Sequence, residues 1–344
     1  MPFQITIQPS GHSYTSEADE TVLEGALREG FTLPYGCRNG ACGSCKGKIV
    51  AGKVDYGDHQ DTTLTAEEKA QGLALFCCAT PLSDLVIECR EVGAAKDIQI
   101  KTIPCRVQKL EKVSHDVVVM SLKLPASERM QFLAGQYIDI LLKDGKRRSF
   151  SLANAPHDDA TLQLHIRHVA GGTFSEYVFT QMQEKAILRF EGPLGTFFLR
   201  EESAKPIVLL ATGTGFAPIK GIVEHALHSG TQRPMILYWG ARHLQDIYMY
   251  DLPLKWQQAH ANFKFVPVLS QPSPEDRWSG RTGHVQDCVL EDHADVSGLQ
   301  VYACGSPSMV EDAHKKLVAA GLPDEEFYSY AFTFARDHQA KTAS

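Results

Sequence analysis

Four cysteines near the N-terminus constrain this chain more than any other feature. Cys37, Cys42 and Cys45 follow a C-x4-C-x2-C spacing, and Cys77 comes after 31 further residues. This spacing suits four thiolates around a [2Fe–2S] cluster, which carries one electron. The residues that surround these cysteines are small, so a tight loop can wrap the cluster and aim backbone N–H groups at its sulfurs; they are Gly36, Gly40, Ala41, Gly43 and Ser44.

Two alternatives to this interpretation stay open on spacing alone. A structural zinc site is one, although such sites usually combine two C-x2-C or H-x3-H pairs, and only Cys42 and Cys45 form such a pair here. The second concerns the fourth ligand, because Cys77 and Cys78 are adjacent. The remaining cysteines, 89, 105, 288 and 304, are isolated in sequence. Because the chain opens with no secretory signal, we expect free thiols and a cytoplasmic protein.

The negative charge is concentrated at one end of the chain. Residues 1–95 carry 13 acidic and 7 basic side chains, a net charge of −6 out of −7 for all 344 residues. Two explanations account for this concentration of charge equally well: an ordinary solvated acidic surface, or a patch that steers a redox partner. Nucleic acid is an unsuitable partner for such a surface. The longest apolar runs are shorter than the 18 or so residues of a membrane helix, so we expect no membrane association.

Three patterns succeed one another along the chain. Residues 3–8 alternate as a strand, residues 21–30 have helical spacing, and Thr65 with Glu68 predicts a capping box. Short strands with frequent turns then indicate an all-β barrel, and strand–helix alternation after residue 205 indicates a parallel α/β sheet. We therefore predict a multidomain α+β protein with boundaries at 1–92, a linker at 93–103, a barrel at 104–201 and an α/β domain with a C-terminal tail at 202–344.

Phosphate-binding features lie in the second and third regions. Arg148, in an Arg-Ser-Phe-Ser run, offers a guanidinium that can bind a phosphate with two hydrogen bonds. Gly171 and Gly172 permit backbone amides to approach phosphate oxygens, and Ser175 is expected to cap the helix that follows. A Gly213-Thr214-Gly215 turn follows an apolar strand and precedes a helix, as a phosphate-binding turn requires, although a lone GTG is weak evidence.

Taken in order, these motifs resemble those of the ferredoxin–NADP reductase superfamily, joined to an N-terminal plant-type ferredoxin. The chain looks especially similar to the CDP-6-deoxy-3,4-glucoseen reductases at residues 8–11, 134–139, 147–156 and 192–198. It also resembles the reductase components of oxygenases. The resemblance implies a β-grasp [2Fe–2S] domain, an antiparallel β-barrel that binds FAD, and a nicotinamide-binding domain. It also selects Cys77 as the fourth ligand, which makes Cys78 an expected small buried hydrophobe.

The resemblance assigns roles to individual positions. It implies that Arg148 pairs with the FAD pyrophosphate, that Phe150 and its neighbours line the isoalloxazine, and that Cys304 with Gly305 lies beside the nicotinamide C4. Catalytic roles are expected for Cys304 and Ser151. The cofactor-binding candidates are Arg148, Ser149, Phe150, Ser151, His165, Ile166, Gly171, Gly172, Thr173, Ser175, Gly213, Thr214, Gly215, Phe216, Gly240, Arg242, Cys304, Gly305 and Phe332.

Two positions bear on specificity. After Arg242 the chain has Asp246 and no second arginine over residues 243–246, which favours NADH over NADPH because NADPH enzymes place basic residues near the 2′-phosphate. Tyr330 stands where the glucoseen reductases carry an acid. If that carboxylate lies near the flavin, its replacement changes how protons are handled there.

The resemblance predicts an NADH-dependent oxidoreductase that passes electrons through FAD and the cluster to a protein acceptor. An oxygenase, a monooxygenase and a dehydratase component are all possible acceptors, docking near the acidic module. A self-contained diaphorase that reduces small molecules and a non-catalytic redox sensor are the alternatives. No Ser-His-Asp triad is indicated, and His59 is expected to be a surface or core residue.

Overall fold

The computed structural model describes residues 2–93 and 98–333. Two compact units divide them: the first runs to Gln99, and the second from Ile100 to Phe332. Residues 94–97 of the expected linker and the tail beyond residue 333 lie outside the described residues. Strand β8, which opens the second unit, begins at Lys101, three residues inside the expected linker. The exact residues at which the domains begin and end therefore stay a prediction.

The first unit is a five-stranded mixed sheet that packs on one main helix. The strand order is β2-β1-β7-β3-β5. Alternation buries Ile5 and Ile7 of β1, and α1 buries Val22 and Ala26 on one face. This is the expected β-grasp ferredoxin architecture. Its elements are β1 (Phe3–Gln8), β2 (Ser13–Ser16), α1 (Val22–Arg28), β3 (Lys46–Ala51), β4 (Val54–Asp55), α2 (Ala66–Ala70), β5 (Leu73–Leu75), β6 (Thr80–Pro81) and β7 (Leu85–Glu88).

Capping boxes set where both helices of this unit begin. The Thr65 side chain accepts a hydrogen bond from the Glu68 N–H, and the Glu68 carboxylate accepts from the Thr65 N–H, so the predicted capping box at α2 is confirmed. Thr21 and Glu24 form the same reciprocal pair at α1. A cap of this kind typically stabilises a helix by about 1 kcal/mol, which matters for helices of only five and seven residues.

The second unit begins with a six-stranded antiparallel sheet in the order β11-β10-β13-β8-β9-β12. Its two end strands meet through a bridge between Leu152 and Leu164, which closes the sheet into the predicted barrel. Inward-facing apolar residues such as Ile138, Leu164 and Phe190 fill it. Its elements are β8 (Lys101–Lys112), β9 (Val117–Lys123), β10 (Tyr137–Leu141), β11 (Arg147–Ser151), β12 (Leu162–Arg167), α3 (Thr173–Thr180) and β13 (Ile187–Leu194).

A parallel six-stranded sheet completes the second unit, in the order β17-β16-β15-β14-β18-β19. Strands β14 and β18, which each pair with a neighbour on both sides, are almost wholly buried, as parallel strands covered on both faces require. Its elements are β14 (Ile207–Thr212), α4 (Phe216–His228), β15 (Met235–Ala241), α5 (Asp251–Ala259), β16 (Phe263–Leu269), β17 (Arg281–Thr282), α6 (Val285–Asp292), β18 (Gln300–Gly305), α7 (Pro307–Ala319) and β19 (Phe327–Ala331). In the part of the chain that the structure describes, no helix is long and apolar enough to cross a bilayer.

Candidate cofactor sites

The cysteine loop, residues 37–45, leads directly into strand β3. Cys77 follows strand β5, which pairs with β3 in the sheet. Gly40 and Gly43 have φ values of +73° and +77°, which side chains rarely adopt, so the loop can turn tightly at both. Backbone amides already point at sulfur: the Cys37 N–H lies 3.3 Å from the Cys42 Sγ, and the Ala41 N–H lies 3.4 Å from the Cys37 Sγ. This is the amide arrangement that a cluster's anionic sulfurs need.

The four predicted ligands come together as two pairs of thiols. Cys37 hydrogen-bonds to Cys42, which raises the pKa of Cys37 and lowers the pKa of Cys42 to about 6. Cys45 hydrogen-bonds to Cys77, which lowers the pKa of Cys77 to about 4, with a further contribution from Cys78. One sulfur of each pair therefore favours the thiolate, the form that binds iron.

Two pairs of thiols fit a two-iron cluster, in which each iron takes two protein ligands. Within residues 2–93 and 98–333, no three His, Cys, Asp or Glu side chains are close enough together to hold one metal ion. Cys78 departs from the expectation of a small buried hydrophobe, because it is half-buried and its Sγ lies 3.6 Å from the Cys77 Sγ. The reason is that the backbone turns after β5 and does not continue as a strand.

The expected flavin-binding run lies at the closure of the barrel. Ser149 on β11 donates a 2.5 Å hydrogen bond to the buried Asp139, and the Phe150 ring packs 5.4 Å from that of Phe174. Ser151 is 5% exposed, and its Oγ has no hydrogen-bond partner among the described residues. An orphaned buried hydroxyl of this kind is costly unless a ligand satisfies it. The observation therefore fits a flavin against β11.

The glycine loop that follows β12 supplies the second anion-binding element. His165 and Ile166 are buried on β12, and Gly171 adopts a φ of +74°. Helix α3 begins at Thr173, and its N-cap residue, Gly172, makes no side-chain capping bond, which leaves first-turn N–H groups for an anion.

The expectation that Ser175 caps this helix is wrong. Ser175 lies inside the first turn, where its hydroxyl accepts from the Val169 N–H and lies within hydrogen-bond distance of the Val169 and Gly172 carbonyls. It therefore holds the loop in shape. A Cβ on Gly172 would stand 2.7 Å from the Ser175 Oγ, so the loop needs glycine at that position.

The nicotinamide candidates meet where β14 and β18 end, side by side. A Cβ on Gly215 would stand 2.1 Å from the Cys304 carbonyl oxygen, and one on Gly305 would stand 2.1 Å from the Thr212 Oγ. Cys304 is fully buried, and this burial raises the pKa of its thiol. The structure therefore brings the GTG turn and the Cys304–Gly305 pair together, although almost 90 residues separate them in sequence.

The remaining predicted residues are distributed around this edge. Gly240 is the penultimate residue of β15, and a Cβ there would stand 2.8 Å from Val285 of α6. Arg242 follows at an exposed position. Phe216 is fully buried and stacks on Trp239 at 3.7 Å, so it acts through packing. The Phe332 N–H donates to the Gly305 carbonyl at 2.8 Å.

Contacts between the barrel and the parallel sheet involve three residues that the sequence motifs did not single out, namely Lys220, Tyr248 and Arg167. The Lys220 ammonium on α4 donates to the Ala153 carbonyl, which follows β11, at 3.1 Å. His165 Nδ1 lies 2.8 Å from the Tyr248 hydroxyl. A guanidinium nitrogen of Arg167 lies so near Gly213 that a Cβ there would stand 2.6 Å from it. No local signal marks Lys220, Tyr248 or Arg167, because their partners are 46 to 83 positions away.

Tyr330 is buried and stacks on Tyr137 of the barrel, with ring centroids 5.3 Å apart and an interplanar angle of 16°. Tyr137 is the register partner of Ser151 in the β10–β11 ladder. Tyr330, where the resemblance implied an acid, therefore contributes an aromatic ring close to β11, the strand predicted to bind the flavin.

Comparison with known proteins accounts for all three regions. Three family models match: 2Fe-2S iron-sulfur cluster binding domain at residues 5–82, oxidoreductase FAD-binding domain at 104–199 and oxidoreductase NAD-binding domain at 209–315. The CDP-6-deoxy-L-threo-D-glycero-4-hexulose-3-dehydrase reductase of Yersinia pseudotuberculosis is 40% identical over 332 residues, which cover 96% of this chain and 99% of that protein.

Oxygenase systems provide further relatives. The reductase component DmpP of phenol 2-monooxygenase from a Pseudomonas species is 33% identical, over 98% of this chain and 96% of that protein. Among solved structures, the Amycolatopsis cytochrome P450 reductase GcoB superposes with a TM-score of 0.80 at 33% identity, and covers 97% of this chain and 100% of its own.

Proposed function

Because this chain belongs to the family of NADH-dependent iron–sulfur flavoprotein reductases, we propose that its acceptor is a protein of the sugar-dehydrase class. The reductase components of this family transfer electrons from a reduced nicotinamide through FAD and a [2Fe–2S] cluster to dehydrase or oxygenase partners. The observation that carries the proposal is the 40% identity to a hexulose-3-dehydrase reductase across nearly the full length of both chains. Oxygenase reductase components are 31–33% identical over similar lengths.

When bound, FAD would supply a centre able to take a two-electron hydride and give up single electrons, and the cluster would supply one-electron transfer. The protein's own residues provide position and electrostatics. We assign Arg148 and the first turn of α3 to the FAD phosphates, and the unpartnered Ser151 hydroxyl to the isoalloxazine. Cys37, Cys42, Cys45 and Cys77 are the proposed cluster ligands.

The nicotinamide is proposed to lie over the edge formed by Gly215 and Cys304. Three features support this placement: two glycines with no room for a Cβ, a fully buried thiol, and a loop–helix turn suited to phosphate. Lys220 and Tyr248 tie this edge to the barrel, and so hold the two binding sites in one orientation. We infer a preference for NADH from Asp246, and comparison of kcat/KM for NADH and NADPH tests it. The cytoplasmic localisation stays a prediction.

We propose that the acceptor docks on an acidic surface beside the cysteine loop, defined by Asp55, Asp58 and Asp61. All three side chains are exposed. The segment that carries them packs on the loop, since the Gln60 N–H donates to the Gly40 carbonyl at 3.2 Å. Leu82, 59% exposed, follows β6, the partner strand of β4, and adds an apolar contact. The expected partner face is basic with an apolar centre around its own redox group.

The electron path is tested with Cys42→Ser in the FAD-loaded chain. We expect flavin reduction by NADH, followed by stopped-flow absorbance, to stay near the wild-type rate. Reduction of cytochrome c, a one-electron acceptor, should be lost, because its electrons pass through the cluster. Cys89→Ser is the matched control, as Cys89 lies in the same unit outside the loop. Loss of both activities in a folded variant would contradict separate sites.

The acceptor class is tested by anaerobic capture on the immobilised protein from its own cell extract, followed by addition of NADH. Reduction of a captured cluster-containing sugar dehydrase supports the proposal. Reduction of a captured iron oxygenase would instead identify the acceptor as an oxygenase component. Rapid turnover on quinones or ferric chelates without any reducible captured protein would instead favour a diaphorase.

A further inference from the structure

A fifth cysteine, Cys78, faces the cysteine loop. Its Sγ lies 3.6 Å from the Cys77 Sγ. A Cβ on Gly40 would stand only 2.8 Å from the same Cys78 Sγ, so this sulfur packs directly against the loop between the first and second predicted ligands.

The backbone after β5 explains why two successive side chains lie on one side. In an extended strand, residues 77 and 78 would point to opposite faces. Here the N–H groups of Cys78 and Ala79 both donate to the Leu75 carbonyl, at 2.9 and 2.8 Å, and form a turn. This turn brings both sulfurs together beside the loop. A Cβ on Gly57 would stand 2.4 Å from the Cys78 carbonyl oxygen, so the acidic segment also holds the turn in place.

We propose that Cys78 is an alternative ligand of the cluster, and that the fourth coordination position is occupied by the sulfur of either Cys77 or Cys78. The proposal rests on the [2Fe–2S] assignment made above. In the exchange, the bond from iron to the Cys77 sulfur breaks and the bond to the Cys78 sulfur forms. The proton that Cys78 loses is taken up by Cys77. No electron is transferred, so no external oxidant or reductant is needed.

Chemistry and location both support this role over a purely structural one. Thiolate is the ligand type that iron–sulfur clusters select. A cysteine that serves as a small hydrophobe is normally fully buried, as Cys105 is in the barrel core, whereas Cys78 is half-buried and contacts another thiol. A spare thiolate at this place would rebind iron whenever the bond to Cys77 opens, and would slow the loss of the cluster.

The test is the cluster content of Cys77→Ala, in the full chain reconstituted anaerobically with iron and sulfide. Alanine is preferred to serine, because a serine oxygen could itself bind iron. We expect Cys77→Ala to keep the wild-type complement of iron and acid-labile sulfide, with a shifted visible circular dichroism and a shifted EPR signal after reduction. The double variant Cys77→Ala/Cys78→Ala should lose the cluster. Equal iron content in the single and double variants would overturn the proposal.

Matched controls separate the possible failures. Cys77→Ala/Cys89→Ala removes a second half-buried thiol of the same unit away from the loop, and should keep the cluster as Cys77→Ala does. If the wild-type protein binds FAD but no cluster, the proposed function fails as well. If the wild-type protein holds the cluster but Cys77→Ala loses it, the further inference alone fails.

A kinetic measurement covers the case in which Cys77→Ala does not fold. Cys78→Ala keeps all four predicted ligands, so it should assemble the cluster with the wild-type spectrum. Its cluster should be removed severalfold faster by an iron chelator, followed by the loss of visible absorbance. A removal rate equal to that of the wild type would overturn the proposal.

Discussion

At the scale of single residues, identity and environment carry different information. The Arg-Ser-Phe-Ser run is a weak signal by itself, and it does not reveal that Ser149 is hydrogen-bonded to Asp139 while the Ser151 hydroxyl has no partner among the described residues. The difference arises from β10, a strand whose register with β11 places Asp139 opposite Ser149.

This difference leads to a prediction for Ser151→Ala. The substitution removes a buried hydroxyl that is unsatisfied without a ligand, so the thermal unfolding temperature of the FAD-free protein should stay level or rise, since such a group costs about 1–3 kcal/mol. Flavin reduction by NADH in the loaded protein should fall by roughly tenfold, because a hydrogen bond to the isoalloxazine is lost. Ser149→Ala, which breaks an existing bond, should lower the unfolding temperature. A lower unfolding temperature for Ser151→Ala would contradict the assignment.

His165 supplies a prediction on pH. Burial lowers its pKa to about 3, with a further contribution from Lys220. The unfolded chain takes up a proton near pH 6.5, whereas the folded chain resists it, so the free energy of unfolding should decrease as the pH falls from 6.5 towards 3. Above pH 6.5 this contribution to stability is fully present. Each pH unit within the window is worth up to about 1.4 kcal/mol.

The measurement is urea unfolding followed by tryptophan fluorescence, since all three tryptophans lie in the second unit with His165. His165→Gln should show a shallower decrease in stability between pH 6.5 and 4.5 than the wild type. His314→Gln, at a position whose side chain is 44% exposed, controls for the loss of an imidazole. Parallel pH profiles for wild type and His165→Gln would refute the argument.

At the scale of elements, the turn between β14 and α4, proposed to bind phosphate, also determines how closely two strands approach. Gly215 touches the end of β18, and Gly305 touches the end of β14, so two strands and one helix depend on the absence of a Cβ at two positions. The GTG letters predicted a strand–turn–helix unit. The contact with Cys304 depends on the parallel pairing of β14 with β18, which no local pattern reports.

Gly215→Ala should therefore disturb the nicotinamide edge. The new methyl group cannot fit 2.1 Å from the Cys304 carbonyl, so the turn must shift, at a cost of about 1–3 kcal/mol. Displacement of the Cys304–Gly305 pair should slow flavin reduction by NADH at least tenfold, measured by stopped-flow. Gly298→Ala is the matched control, since a Cβ there meets nothing within 4 Å. Wild-type reduction by Gly215→Ala would contradict the proposed edge.

At the scale of the whole molecule, most of the net negative charge lies in the N-terminal region. The net charge of −6 over residues 1–95 left open a solvated surface or a steering patch, and the structure exposes three of these acids beside the cysteine loop. The acidic composition alone could not indicate this position, because it depends on how the segment around Gln60 packs against Gly40.

Ionic strength should therefore govern the rate of reaction with a basic acceptor. We expect the second-order rate of cytochrome c reduction to fall about tenfold between 20 and 300 mM salt, as the attraction is screened. The variant Asp58→Asn/Asp61→Asn should be slower at low salt and less sensitive to salt. Asp19→Asn, an exposed acid in the turn before α1, should change the rate less. A salt-independent rate would remove the steering argument.

Sequence alone determined the features that depend on short-range chemistry. Spacing singled out Cys37, Cys42 and Cys45, capping residues located α2, and periodicity separated the three kinds of sheet, because each of these follows from neighbours within a few positions. Family resemblance extended this to the cofactors. The expected cap at Ser175 was wrong, because Gly172 already ends the loop in the N-cap position and the serine is used to brace it.

Only the tertiary structure decided which side chains meet. Pairing of Cys45 with Cys77, contact of the Cys78 sulfur with the cysteine loop and stacking of Tyr330 on Tyr137 all join segments that are distant in sequence. Such contacts depend on strand order and register, which are set by the burial of whole sheets and by no local pattern. The sequence thus determines the chemistry of each residue, whereas the tertiary structure determines which residues it contacts.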